Sequence, residues 1–213
     1  MGPNSLLFAL VAGVLLCPLL AGCDDDGLGP GGNATISEPF DLQRDAAGRI
    51  AFRVVGINGG IAVTGVSQGE SFQVTGFRRV QGCSLERAEA LIEELEVRVS
   101  ETAEEIVVQT LQPSSTSPCS LVVDYELEVP ERLFGRISLV NGGVAVTGLH
   151  EGVSVTSVNG AAVLEDVEGD ATVRLTNGAI EADVAIEGDE EIDLLTVNGT
   201  IDLTVPGGTH ARL

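Results

Sequence analysis

The dipeptide Asn-Gly recurs at Asn141-Gly142, Asn159-Gly160, Asn177-Gly178 and Asn198-Gly199, an even beat that lengthens slightly at the last step. Aligned on the asparagine, the third following residue is Val144, Ala162, Ile180 or Ile201, and the fifth is Val146, Leu164, Ala182 or Leu203. The sixth is Thr147, Glu165, Asp183 or Thr204, polar in every unit. A two-residue alternation of apolar and polar positions is the signature of a half-buried strand. Midway through each unit a second glycine turn appears, as His150-Glu151-Gly152, Glu168-Gly169-Asp170 and Glu187-Gly188-Asp189. Each unit therefore holds two short strands and two glycine-containing turns.

Two architectures satisfy this pattern. Asn-Gly is a favoured hairpin dipeptide, which would give an antiparallel meander. Alternatively each unit is one coil of a β-solenoid, with equivalent residues stacked about 4.8 Å apart. Similarity returns once per Asn-Gly unit rather than once per strand, and Asn-Gly turns alternate with acidic-Gly turns. Turns that alternate in kind favour coils, with asparagines Asn58, Asn141, Asn159, Asn177 and Asn198 stacked at one corner and bonding along the ladder. The expected class is mainly β, a single-stranded β-helix-like solenoid with a helix-containing insert in its N-terminal part.

Asn58 enters through a more distant match. Ile57 to Gly65 and Val140 to Gly148 share Asn, Gly, Gly, Ala, Val, Thr and Gly at the same relative positions. Between these copies, Ser84 to Leu95 place Leu85, Ala88, Leu91, Ile92 and Leu95 on one helical face, with Ser84 as N-cap. Ile50 to Val55, Ser71 to Thr75, Glu96 to Ser100, Glu105 to Thr110 and Leu121 to Val129 read as strands.

The start of the chain speaks to location. Leu6 to Leu20 form an uncharged apolar run, short for a membrane span and suited to a signal-peptide core. The run ends in Leu20-Ala21-Gly22-Cys23, which resembles the lipobox of bacterial lipoproteins. That resemblance implies cleavage before Cys23, a thioether-linked lipid on its sulfur and attachment to a membrane of the cell envelope. Met1 to Ser5 depart from the pattern in lacking Lys or Arg. Residues 1–22 are thus expected to be signal peptide and 23–35 a flexible tether. An N-terminal β-rich region follows over 36–135 with one helix at 84–95, then solenoid repeats over 136–208 and a tail over 209–213. For that tail two alternatives stay open: it folds over the last coil, or the sequence is a fragment.

With Cys17 in the signal peptide and Cys23 lipidated, Cys83 and Cys119 remain. Two thiols in an exported domain point to a disulfide, which would add ~3–4 kcal/mol of stability. The rival reading, a metal pair, lacks a nearby histidine to complete the ligand set.

The Val-Asn-Gly-x-Ile/Val/Ala-x-Val/Leu repeats, the helix-containing insert and the strand ending Tyr125-Glu126-Leu127-Glu128-Val129-Pro130 resemble the bacterial candidate-adhesin family of β-strand-repeat domains. The resemblance covers roughly residues 36–208 and implies an adhesin-like fold. It supplies no catalytic residues.

The formal charge is −21, and all 11 basic residues are Arg, a balance that repels phosphate backbones and argues against nucleic-acid partners. An enzyme acting on envelope polysaccharide is the competing class, and a periplasmic sensing or assembly component a third. From Arg136 to Val205 only Arg136 and Arg174 stand against 13 acidic residues, and His150 and His210 are the only histidines. That is little material for a catalytic triad or a polyanion site. Carboxylates clustered at Glu165, Asp166, Glu168 and Asp170, and again at Glu187, Asp189, Glu190, Glu191 and Asp193, lack a calcium-loop spacing. The expected function is a non-enzymatic structural or adhesin-like module with no cofactor, held to a membrane by lipid and facing a glycan or protein ligand.

Overall fold

A computed structural model of the chain describes residues 33–186 and 188–205. The expected signal peptide, the lipidation site Cys23, most of the tether and the 209–213 tail lie outside the described residues.

The elements in chain order begin with β1 (Ala34–Asp45), β2 (Ala51–Val55), β3 (Ile61–Val66), β4 (Ser71–Cys83) and helix α1 (Leu85–Glu94). They continue with β5 (Glu96–Glu101), β6 (Glu105–Leu111), β7 (Ser120–Pro130), β8 (Phe134–Asn141) and β9 (Val144–Thr147). The last six are β10 (Val153–Asn159), β11 (Ala162–Glu168), β12 (Ala171–Asn177), β13 (Ile180–Ala185), β14 (Ile192–Asn198) and β15 (Ile201–Thr204). The fold is mainly β, in two sheets of mixed pairing. Eight strands follow the order β1-β4-β7-β3-β9-β11-β13-β15, and seven follow β14-β12-β10-β8-β2-β6-β5.

Successive strands of the repeat region alternate between the sheets, and every pair from β8 to β15 is parallel. Consecutive strands are therefore not hairpins, which removes the meander alternative. In one sheet Ile137, Val155 and Val173 lie side by side, a register of one Asn-Gly unit per strand, and the longer last unit places Leu194 beside Val173. The other sheet aligns Val144, Ala162, Ile180 and Ile201 in the same way. The distant repeat becomes a spatial neighbour too, since β3 pairs with β9 with Ile61 beside Val144.

Inward positions fill the space between the sheets. Val144, Val146, Ala162, Leu164, Ile180 and Ala182 are all at most 4% exposed, as the alternation requires. Their counterparts on β15, Ile201 and Leu203, are 45% and 41% exposed because they belong to the last described strand of their sheet. Each sheet takes strands from both sides of residue 135, so the two expected regions share one core.

Several elements differ from the sequence reading. The half-buried strand β1 was not among the expected strands; its half-buried side carries Glu38 and Arg44 among Ala34, Ile36, Phe40 and Leu42, which dilutes the apolar alternation, and as the edge partner of β4 it tolerates Pro39 on its exposed side. Strand β4 runs on to Cys83 instead of stopping near Thr75. Helix α1 is capped by Ser84, whose Oγ accepts from the Arg87 N–H at 3.3 Å. Ala88, Leu91, Ile92 and Leu95 are buried, but Leu85 is 57% exposed because it sits at the first helical position, where the packed stripe runs out. Arg78 holds the other helix end, donating to the carbonyls of Leu95 at 2.6 Å and Ile92 at 3.5 Å and pairing with Glu38.

Candidate functional site

The five expected corner asparagines form one column. Each carboxamide donates to the one before it: Asn141 to Asn58 and Asn159 to Asn141, both at 2.7 Å, then Asn177 to Asn159 and Asn198 to Asn177, both at 2.8 Å. Asn58 ends the chain of bonds on the Leu121 carbonyl at 3.1 Å. Beside the column runs a second, made of the glycines. A side chain on Gly142 would overlap the Gly59 carbonyl oxygen, one on Gly160 that of Gly142, and one on Gly178 that of Gly160. The glycine is thus needed mainly for the close approach of neighbouring backbones, where the sequence pointed to turn conformation.

Cys83 and Cys119 form a disulfide joining the end of β4 to the loop before β7. The acidic turns use several of their carboxylates internally. Asp170 Oδ1 accepts from the Glu191 N–H at 2.9 Å, Glu190 from the Gly188 N–H at 2.6 Å, and Asp193 pairs with Arg174 at 2.6 Å. Among the described residues no three His, Cys, Asp or Glu side chains are placed to share a metal ion. His150 lies between two carboxylates, with Nδ1 3.7 Å from Glu131 and 3.9 Å from Glu168. His210 lies outside the described residues.

The sequence reading places Tyr125 in a strand and gives it no further role. Its ring is buried, 2% exposed, and its hydroxyl shares a 2.7 Å hydrogen bond with Thr110. Burial pushes the phenol up to about 12, partly offset by that bond. An unfolded tyrosine ionises near 10, so the folded state keeps its proton longer. The stability this group contributes is complete below pH about 10 and is lost between about 10 and 12. Tyr125 is the sole tyrosine and there is no tryptophan, so phenolate absorbance reports it cleanly. The expected titration midpoint is about 12 in the native protein and about 10 in denaturant; a native midpoint near 10 would contradict the burial.

The two outward sheet faces differ electrostatically. On the seven-stranded sheet each exposed arginine has a partner. Glu105 reaches Arg53 at 3.3 Å and Arg136 at 3.1 Å, while Arg174 holds Asp193. The eight-stranded sheet presents Glu126, Glu128, Glu165, Asp166, Glu181, Asp183 and Asp202, all exposed. None of these has a cationic partner within 4.0 Å among the described residues. Between Glu126 and Glu181 the face drops to small side chains, with Ala62 beside Ala145 and Ala145 beside Val163. Three shallow cavities of about 420, 390 and 480 Å³ follow this strip, the first and second sharing Ala62 and Glu126, the second and third sharing Val163. Together they form a row that crosses the outward face from β4 to β15.

Comparison with known proteins finds no matching family model and no matching curated protein. Among solved structures the chain is similar to a candidate cell-adhesion protein from Clostridium sporogenes, at 11% identity over 79% of this chain and 100% of that one, with a TM-score of 0.48. A candidate adhesin from Parabacteroides distasonis follows at 10% identity, 82% and 80% coverage and a TM-score of 0.33. A candidate lipid-binding protein from the same organism matches at 11% identity, 78% coverage of each chain and a TM-score of 0.31. Overlaps this loose carry neither a family nor a function across to this chain.

Proposed function

We propose that the chain is a lipid-anchored protein of the bacterial envelope, with a β-solenoid body that acts as a non-enzymatic, adhesin-like interaction module. The observation that carries the reading is the joint register of both parallel sheets with the asparagine column. One corner bond per coil, repeated from Asn58 to Asn198, is what a stacked-coil scaffold requires. Such a scaffold offers two long outward faces, while the side chains that fill its interior are consumed by packing. The anchor rests on Leu20-Ala21-Gly22-Cys23, and the disulfide fits an oxidising compartment.

The test uses an epitope placed after Leu213 in a bacterial host, comparing the wild type with Cys23→Ser. The wild type is expected in the membrane fraction and the variant in the soluble fraction; unchanged membrane association would overturn the anchor. Protease added to intact cells then decides the setting. Loss of the epitope supports surface adhesion, whereas protection until the envelope is breached rejects the adhesin role in favour of a periplasmic one.

A further inference from the structure

We propose that Asn198-Gly199 is a site of spontaneous deamidation, while the four other Asn-Gly corners are held against it. In this reaction the Gly199 backbone nitrogen attacks the Asn198 side-chain carbonyl carbon. The bond from that carbon to the side-chain nitrogen breaks, and the backbone proton, relayed through solvent, ends on the departing ammonia. The succinimide that remains takes up one water at either carbonyl and opens to aspartate or isoaspartate. Water is the sole co-reactant, and nothing is oxidised or reduced. Glycine hinders such an attack least because it carries no Cβ, so the five Asn-Gly pairs are alike in their local chemistry. The inference goes beyond the interaction-module reading and does not rest on it.

The fold withholds the nucleophile at four corners. A glycine nitrogen attacks only after giving up its proton, and an N–H that donates to a neighbouring carbonyl is shielded from solvent base. Gly59 donates to the Asn141 carbonyl at 3.0 Å and Gly142 to that of Asn159 at 2.8 Å. Gly160 donates to Asn177 and Gly178 to Asn198, both at 2.9 Å. Each corner thus closes on the asparagine of the next unit. Asn198 belongs to the last unit described, and no described backbone carbonyl accepts from Gly199. Exposure follows the same division: Gly59, Gly142, Gly160 and Gly178 are half-buried, whereas Gly199 is exposed.

The electrophile is graded in the same way. Asn141, Asn159 and Asn177 are held at both ends of the carboxamide, donating through Nδ2 and accepting at Oδ1 from the next asparagine. Asn58 donates to the Leu121 carbonyl and accepts from Asn141. Asn198 donates to Asn177 at 2.8 Å, and no described asparagine donates to its Oδ1. Its carboxamide turns toward the Gly199 nitrogen after breaking one such bond, where each inner asparagine breaks two. The product has a structural consequence. A carboxylate at position 198 has no proton to donate and faces the Asn177 Oδ1 with an acceptor of its own. Isoaspartate also lengthens the main chain by one carbon at the corner before β15, whose Ile201 stands beside Ile180 of β13. The modification therefore loosens the last described corner and adds a negative charge there, leaving the inner corners intact.

The experiment incubates the purified full-length protein in detergent and mildly alkaline buffer, and follows each Asn-Gly site by tandem mass spectrometry of proteolytic peptides. A parallel sample, reduced and unfolded in guanidinium chloride, reports the reactivity of the same sites without the fold. There the five sites are expected to deamidate at similar rates. In the native sample Asn198 is expected to react about tenfold or more faster than any inner corner, since the inner ones must first break additional hydrogen bonds. Released ammonia gives an independent readout. Asn198→Gln removes the reactive site, because closure from glutamine needs a larger ring that forms slowly, and it is expected to abolish most of the native release. Native deamidation spread evenly over the five corners, or fastest at an inner one, would overturn the proposal. So would an Asn198 that stays intact while the unfolded chain reacts, or ammonia release by Asn198→Gln at the wild-type rate.

Discussion

Replacing Gly160 by alanine is expected to lower the unfolding free energy by about 4 kcal/mol or more, whereas the same change at Gly48 costs only about 1 kcal/mol. Both glycines have positive φ, +135° and +74°, so both variants bear the conformational penalty of a side chain in that region. What separates them is the neighbour. Nothing lies within 4 Å of a Cβ on Gly48. On Gly160 the added carbon would overlap the carbonyl oxygen of Gly142 and sit 2.5 Å from its carbonyl carbon and 3.2 Å from the Gly143 nitrogen. Those are backbone atoms of the neighbouring Asn-Gly unit and cannot rotate aside. Moving them stretches the Gly142 N–H bond to the Asn159 carbonyl (2.8 Å) and the Gly160 N–H bond to the Asn177 carbonyl (2.9 Å). It also pulls on the Asn159–Asn141 carboxamide bond. A total stability of about 5–15 kcal/mol leaves such a variant little margin. Urea unfolding of the two variants decides the matter, and equal losses would mean that Gly160 is required for its dihedral angle alone.

That contrast also marks how far the sequence could be read. The strand pairs after Phe134 were legible because alternation and the regular Asn-Gly beat are local properties, and Leu164 or Ala182 had to face inward whichever partner they met. The asparagines were legible as a corner for the same reason. The reason for the glycines was not, because the Gly142 atom that Gly160 must avoid lies a full repeat away in sequence and on the neighbouring unit in space. Strand β1 escaped because Glu38 and Arg44 stand among its half-buried positions, so its apolar alternation is weak, and its edge position beside β4, where Pro39 is tolerated, is a property of the sheet. The layout of the acidic outward face was invisible for a stronger version of this cause. Glu126 and Glu181 come to the same row, with Ala62, Ala145 and Val163 between them, only because β3, β9 and β11 come between β7 and β13. Tyr125 and Thr110 likewise meet across the two sheets, and nothing in either residue's own strand signals the pairing.

Removing the disulfide is the second large effect, with an expected loss of about 3–4 kcal/mol for the double replacement Cys83→Ala, Cys119→Ala. The two cysteines are 36 apart in sequence. The intervening chain leaves the eight-stranded sheet, forms α1, adds β5 and β6 to the seven-stranded sheet, and returns as β7 beside β4. The bond therefore pins the base of the excursion that the repeat pattern cannot specify. Both cysteines are 6% exposed, so the replacements also remove some buried contact; alanine is preferable to serine because it leaves no buried hydroxyl without a partner. The native β4–β7 ladder continues far beyond the cysteines, from Gln81 beside Ser120 to Gln73 beside Glu128, so the folded variant keeps its strand content by circular dichroism. The loss should appear in urea unfolding as a lower midpoint, matched by wild-type protein in reductant. A drop below about 1 kcal/mol would mean that the unfolded chain already keeps β4 and β7 together, leaving the covalent link little entropy to remove. A drop of the expected size makes the fold substantially less stable in a reducing cytosol, so that full stability is reached only where the thiols can oxidise.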